Sequence, residues 1–92
     1  MKGYYVYILT NVKRNVIYIG VTNDLERRVQ EHREGKGGAF TKKYRVDTLV
    51  HVEAYDQISD AITREKEIKG WRRSKKDALV NTANPTWADL SE

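Results

Sequence analysis

Two stretches, YYVYIL (Tyr4 to Leu9) and VIYIG (Val16 to Gly20), constrain this chain more than any other feature. Both are built from β-branched and aromatic residues, which suit a pleated, half-buried surface. The segment between them, TNVKRN, is polar and turn-forming. Together they predict a β-hairpin. Side chains alternate along a strand, so a turn of about two or four residues puts Tyr7 and Tyr18 on one face, and a three-residue turn would separate them. TLVHVEAY (Thr48 to Tyr55) alternates in the same way and predicts a third strand.

Helical patterns fill the remainder. The first helix starts near TNDLE, with Asn23 as its cap and Glu26 placed for a capping box, and stops at Gly35. GKGGAFTKKYR reads as a basic, glycine-rich connection. A second helix is expected from Asp56 or Ser59 to Trp71. A third, shorter one is capped by Ser74 and closes before Asn84-Pro85. The expected class is α/β (α+β): a small three-stranded antiparallel sheet flanked by helices, in the order β-β-α-β-α-α.

A chain of 92 residues predicts a single domain spanning 1–92 with one core. It has no cysteine, which removes disulfides and thiolate metal sites from consideration. No apolar run approaches the ~20 residues of a membrane span, and the N-terminus lacks the pattern of a signal peptide. The expectation is a cytoplasmic protein that engages no membrane. The net charge of +4 favours a polyanionic partner, nucleic acid first among them.

The first helix separates two adjacent arginines. At about 100° per residue, Arg28 and His32 share the apolar stripe of Leu25 and Val29, whereas Arg27 points to the opposite side. An ion on such a stripe requires a partner, because burying it alone costs on the order of several kcal/mol. Arg28 could still snorkel its head to water, and His32 could be satisfied by backbone. In the second helix Ile58, Ala61, Ile62 and Ile68 form the apolar stripe, and Glu65 falls in its middle. Its carboxylate could pair with Lys69 one turn on or with Arg28. Alternatively it could bind a hard divalent ion that takes its other ligands from water and a phosphate. REGKGG (Arg33 to Gly38) is no phosphate-binding loop, since no strand precedes it and no hydroxyl follows the lysine. No His/Cys spacing suits zinc.

The pattern YVY (Tyr5 to Tyr7), ten residues, then YIG (Tyr18 to Gly20) resembles the paired motif of the GIY-YIG nuclease family. The resemblance continues through VTNDLERRVQEH, Glu65 and Asn84, over nearly the whole chain. It is greatest to small stand-alone members related to the N-terminal nuclease domain of a DNA-repair excinuclease. The family's first glycine is replaced by Tyr5, and Val21 stands where the excinuclease domain tends to carry a lysine.

The resemblance implies a metal-dependent endonuclease acting on nucleic acid, DNA in preference to RNA, with one Mg2+ or Mn2+ ion. It implies that Arg28 holds the scissile phosphate and Glu65 binds the ion. Tyr7 would take the proton of the attacking water, His32 would relay it and Tyr18 would orient water or phosphate. Asn84 would hydrogen-bond near the site, unless it is simply a turn residue before Pro85. Lys36, Lys42, Lys43 and Arg45, with Arg72, Arg73, Lys75 and Lys76, are candidate contacts to a phosphodiester backbone. The alternative is a nucleic-acid-binding module that keeps the fold with little turnover, as the change at Val21 allows.

Overall fold

The computed structural model describes residues 3–91. Strands β1 (Tyr4–Thr10), β2 (Ile17–Thr22) and β3 (Thr48–Tyr55) form an antiparallel sheet in the order β2-β1-β3. Helices α1 (Leu25–Arg33) and α2 (Ala39–Tyr44) lie between β2 and β3, and α3 (Ile58–Lys69) and α4 (Arg73–Ala83) follow β3. The expected strands and the three expected helices are present. The segment expected to be a plain connection contains α2, whose six residues are too few to show a helical period.

In the hairpin, Tyr7 pairs with Gly20 and Leu9 with Tyr18, so Tyr7 and Tyr18 do share a face. The loop that achieves this has six residues, Asn11 to Val16, longer than the two or four expected and of the same parity. The Asn11 side chain shapes it by accepting from the Asn15 and Val16 amides at 3.1 and 3.2 Å. Arg73 at the start of α4 then clamps the loop by donating to the carbonyls of Arg14 and Asn15. Between β1 and β3 the register slips at Val50, where Ile8 pairs with His51 and Leu9 with Leu49.

The apolar side chains divide between the two sheet faces instead of forming the single core expected. On one face Val6, Ile8, Ile19 and Val50 pack with Ala61 and Ile68 of α3 and Val80 of α4. On the other, Tyr7, Leu9 and Leu49 pack with Val29 of α1 and with Val46. Burial on both sides explains why β1 carries a near-continuous buried run from Val6 to Thr10.

Three local expectations change. The cap of α1 is Asp24, accepting from the Arg27 amide at 3.1 Å, rather than Asn23. The Thr22 hydroxyl accepts from the Asp24 amide and thereby puts Asp24 in place. Ser74 lies inside the first turn of α4, whose cap position is Arg72. In α3, Ala61 and Ile68 are buried, but Ile58 and Ile62 are exposed, so its apolar stripe is narrower than the sequence suggests.

After α4 the chain crosses back toward α1. Asn84 donates to the carbonyls of Val50 and Ala88 at 3.1 and 2.9 Å and accepts from the Ala88 amide. The Leu90 amide bonds to the Leu49 carbonyl at 2.8 Å. Arg33 of α1 meets Asp89 at 2.5 Å and also bonds to Ser91.

Candidate active site

Four of the expected residues meet on the face covered by α1. The hydroxyl of Tyr7, on the central strand and 1% exposed, lies 3.1 Å from His32 Nε2. The Tyr18 ring stands 6.2 Å from that of Tyr7 and 5.2 Å from the imidazole, each pair tilted. The Arg28 guanidinium lies close enough to both phenols to bear on their electrostatics. It also donates to Glu31 Oε1 at 3.1 Å and to the Gly37 carbonyl at 3.2 Å. Arg27 is exposed, as its place on the helix requires.

Two glycines make this convergence possible by their lack of a side chain. A Cβ at Gly20 would lie 2.5 Å from the Tyr7 hydroxyl oxygen, and one at Gly37 would collide with His32 Nδ1. Tyr7 thus crosses directly over the backbone of β2, and the loop before α2 is pressed against the imidazole.

The electrostatics set the protonation states. Burial is the largest influence on Tyr7 and pushes its pKa up to about 12; the Arg28 guanidinium opposes it. The phenol therefore carries its proton at neutral pH. His32 is shifted below its ordinary value, first by burial and then by the charge of Arg28, with Glu31 and Asp47 opposing. Its imidazole is neutral at pH 7 and free to accept a proton. Arg28 is shifted upward, chiefly by Tyr7, and stays charged.

Glu65 and Asn84 make no hydrogen bond or ion pair with these four side chains. Glu65 sits on α3, in the layer across the sheet, with its side chain 16% exposed and its carboxylate 2.7 Å from Lys69 Nζ. That is one of the two ion pairs foreseen. Among the described residues, no three His, Asp or Glu side chains gather closely enough to enclose a metal ion. A lone, shielded carboxylate nonetheless matches the donor set of a hard divalent ion that keeps most of its water. Asn84 is 7% exposed, and both its amide protons are used by backbone carbonyls, which makes it a clamp on the turn before Pro85.

The basic residues also divide. Lys36, Lys42, Lys43 and Arg45 are exposed on and around α2, beside His32. Arg72 and Lys75 are exposed at the start of α4, and Lys75 lies over the Trp71 ring at 4.3 Å. Lys76 is half-buried, and Arg73 is occupied by Asp77 and the hairpin loop. No pattern in the sequence marks Thr41, buried in α2 with its hydroxyl 3.1 Å from His32 Nδ1. Nor does any mark Glu53, which joins Arg64, His51 and Tyr55 at 2.9, 2.8 and 2.7 Å.

A small sheet with α1 on one face and α3 on the other, bringing together two phenols, an imidazole and a guanidinium, defines a compact α+β domain. The GIY-YIG catalytic domain matches residues 3–78, and the chain belongs to that nuclease family. It is 43% identical over 77 residues to a UPF0213 protein of Haloquadratum walsbyi, covering 84% of this chain and 85% of that protein. It is 38% identical over 81 residues to a UPF0213 protein of Staphylococcus saprophyticus, covering 88% and 98%. The solution NMR structure of a UPF0213 protein from Bacillus halodurans superposes with a TM-score of 0.60 at 32% identity, covering 97% of this chain and 93% of that one.

Proposed function

We propose that this protein is an endonuclease that hydrolyses phosphodiester bonds of nucleic acid, DNA in preference to RNA, with the aid of one Mg2+ or Mn2+ ion held by Glu65. The observation that carries the reading is the meeting of Tyr7, Tyr18, Arg28 and His32 on one face of a GIY-YIG domain. Arg28 is a permanent cation with a planar fork, suited to gripping the scissile phosphate and to stabilising the charge that builds on it. Tyr18 orients the attacking water or the phosphate.

The high pKa of Tyr7 argues against a preformed phenolate base. It supports a relay instead: Tyr7 takes a proton from the attacking water as it passes its own to His32 Nε2, 3.1 Å away. Bound at Glu65, the divalent ion would supply Lewis-acid stabilisation of the phosphate and of the leaving oxygen. Strand β2 is common to both halves of the site, because Tyr18 and Gly20 belong to it and α3 packs against it. The exposed Lys36, Lys42, Lys43 and Arg45, near His32, are suited to contact a phosphodiester backbone, and Arg72, Lys75 and Lys76 on the α4 side form a separate basic group.

The test is cleavage of supercoiled, single-stranded and branched DNA, and of RNA, with Mg2+ or Mn2+. Wild type is expected to cut at least one of them, and Arg28→Ala and Glu65→Gln to fall by at least about 100-fold. Failure of wild type on every substrate, or equal cutting by Glu65→Gln, refutes the reading. The Lys69 contact to Glu65 favours a second one, a binding module without turnover. That reading predicts salt-dependent binding with no product.

A further inference from the structure

We infer that Thr41 is a positioning residue that fixes the tautomer of His32, so that Nδ1 carries the proton and Nε2 is open toward Tyr7. The role in turnover rests on the nuclease reading above; the tautomer itself does not.

One pattern of donors and acceptors satisfies every group in the cluster. Thr41 is 2% exposed in α2. Its Oγ1 lies 3.1 Å from His32 Nδ1 and 3.4 Å from the Gly38 carbonyl. A carbonyl only accepts, and with the threonine proton on Gly38 the hydroxyl's lone pair faces the imidazole. His32 Nδ1 is then the donor. Nε2 is left as an acceptor, and the group 3.1 Å from it is the Tyr7 hydroxyl. That hydroxyl also faces Arg28, which can only donate to it. In this pattern the Tyr7 proton goes to Nε2. The chain reads Tyr7 O–H to Nε2, Nδ1–H to Thr41, and Thr41 O–H to Gly38.

This arrangement has a direction. When His32 accepts the Tyr7 proton it becomes an imidazolium donating from both nitrogens, and Thr41 still accepts from Nδ1. No side chain in the chain has to reorient, so the relay is preorganised. In the opposite tautomer Nε2–H would donate to Tyr7, and the phenol could no longer hand its proton over. The tight packing of Gly37 on Nδ1 leaves the threonine hydroxyl as the partner of that nitrogen. The same loop accepts from Arg28 through the Gly37 carbonyl. The connection between α1 and α2 thus holds both the proton acceptor and the phosphate-binding cation.

The charged and titratable groups around His32 are Tyr7 on β1, Tyr18 on β2, Arg28 and Glu31 on α1, and Asp47 ahead of β3. Thr41→Val preserves shape and removes the acceptor. Thr41→Ser restores the hydroxyl. In ¹⁵N-labelled full-length protein at neutral pH, long-range ¹H–¹⁵N correlation is expected to show His32 Nδ1 protonated and Nε2 not. Thr41→Val should reverse this, and Thr41→Ser should keep it. A wild-type His32 protonated at Nε2 overturns the inference, and this measurement needs no variant to fold. A Thr41→Val protein with the wild-type tautomer overturns it as well. In cleavage assays Thr41→Val should lower kcat about 10- to 100-fold with KM unchanged, and Thr41→Ser should recover it. A wild type that cleaves nothing refutes the nuclease reading, and the nitrogen signals still decide the role of Thr41.

Discussion

Gly20→Ala perturbs the site at the point where the fold leaves least room. The added Cβ would lie 2.5 Å from the Tyr7 hydroxyl oxygen and 2.6 Å from Cζ. Ordinary contact begins near 3.5 Å, so the phenol must withdraw by about 1 Å. Tyr7 belongs to the central strand, hydrogen-bonded to a neighbour on each side, so its ring must move while its backbone stays. That movement stretches the 3.1 Å bond to His32. Overpacking of this kind costs about 1–3 kcal/mol. For a chain of this length each kcal/mol lowers the melting temperature by about 4–8 °C. Misplacing a reacting group by about 1 Å lowers turnover by roughly 100-fold. Thermal unfolding followed by circular dichroism and a cleavage assay with Mg2+ read the two effects separately. Gly70→Ala is the control, because a Cβ there meets two carbonyls at 3.5 and 3.6 Å and leaves the site untouched. A Gly20→Ala protein that melts with wild type and cuts at the wild-type rate would refute the close-approach argument.

Three further outcomes are expected. Arg28→Lys keeps the charge but loses the fork that reaches Glu31 and Gly37 together, so kcat should fall about 100-fold or more while the melting temperature changes little. Burial would raise the pKa of Glu53, but hydrogen bonds from Arg64, His51 and Tyr55 hold it at about 2. Its contribution is therefore complete above the unfolded value of 4.5 and is lost as pH falls toward 2. The shift corresponds to at most about 3 kcal/mol, reduced to about 1–2 by solvent screening, and Glu53→Gln should flatten the acid limb of a urea-unfolding series between pH 5 and 2 by about that amount. The pKa of His32 lies below 6.5, so the unfolded chain binds the proton first and stability should decline as pH drops through 6.5; His32→Gln should remove that slope.

Much of this arrangement is legible in the sequence because it depends on short-range periodicity. Strand alternation puts Tyr7 and Tyr18 together, and the parity of the loop preserves the result although its length differs. Helical spacing separates Arg28 from Arg27 without any knowledge of what Arg28 meets. What escapes is set by contacts between distant segments. Thr41 and His32 are nine residues apart, joined through a glycine loop whose path no local pattern encodes. Arg64 points away from the apolar stripe of α3 on a helical wheel, yet it donates to Glu53, a partner on a strand that only the sheet register reveals. Helix α2 is invisible because six residues beginning after two glycines carry no amphipathic signature.

The polypeptide beyond Ala83 behaves as a buckle. It starts on the α4 side of the sheet, catches the β3 backbone at Val50 and Leu49, and fastens to α1 through Arg33. Helix α1 is also the helix that carries Arg28 and His32. A fragment trimmed at residue 78, where the family match stops, would leave every nuclease motif except Asn84 in place and still unfasten the helix on which two of them ride.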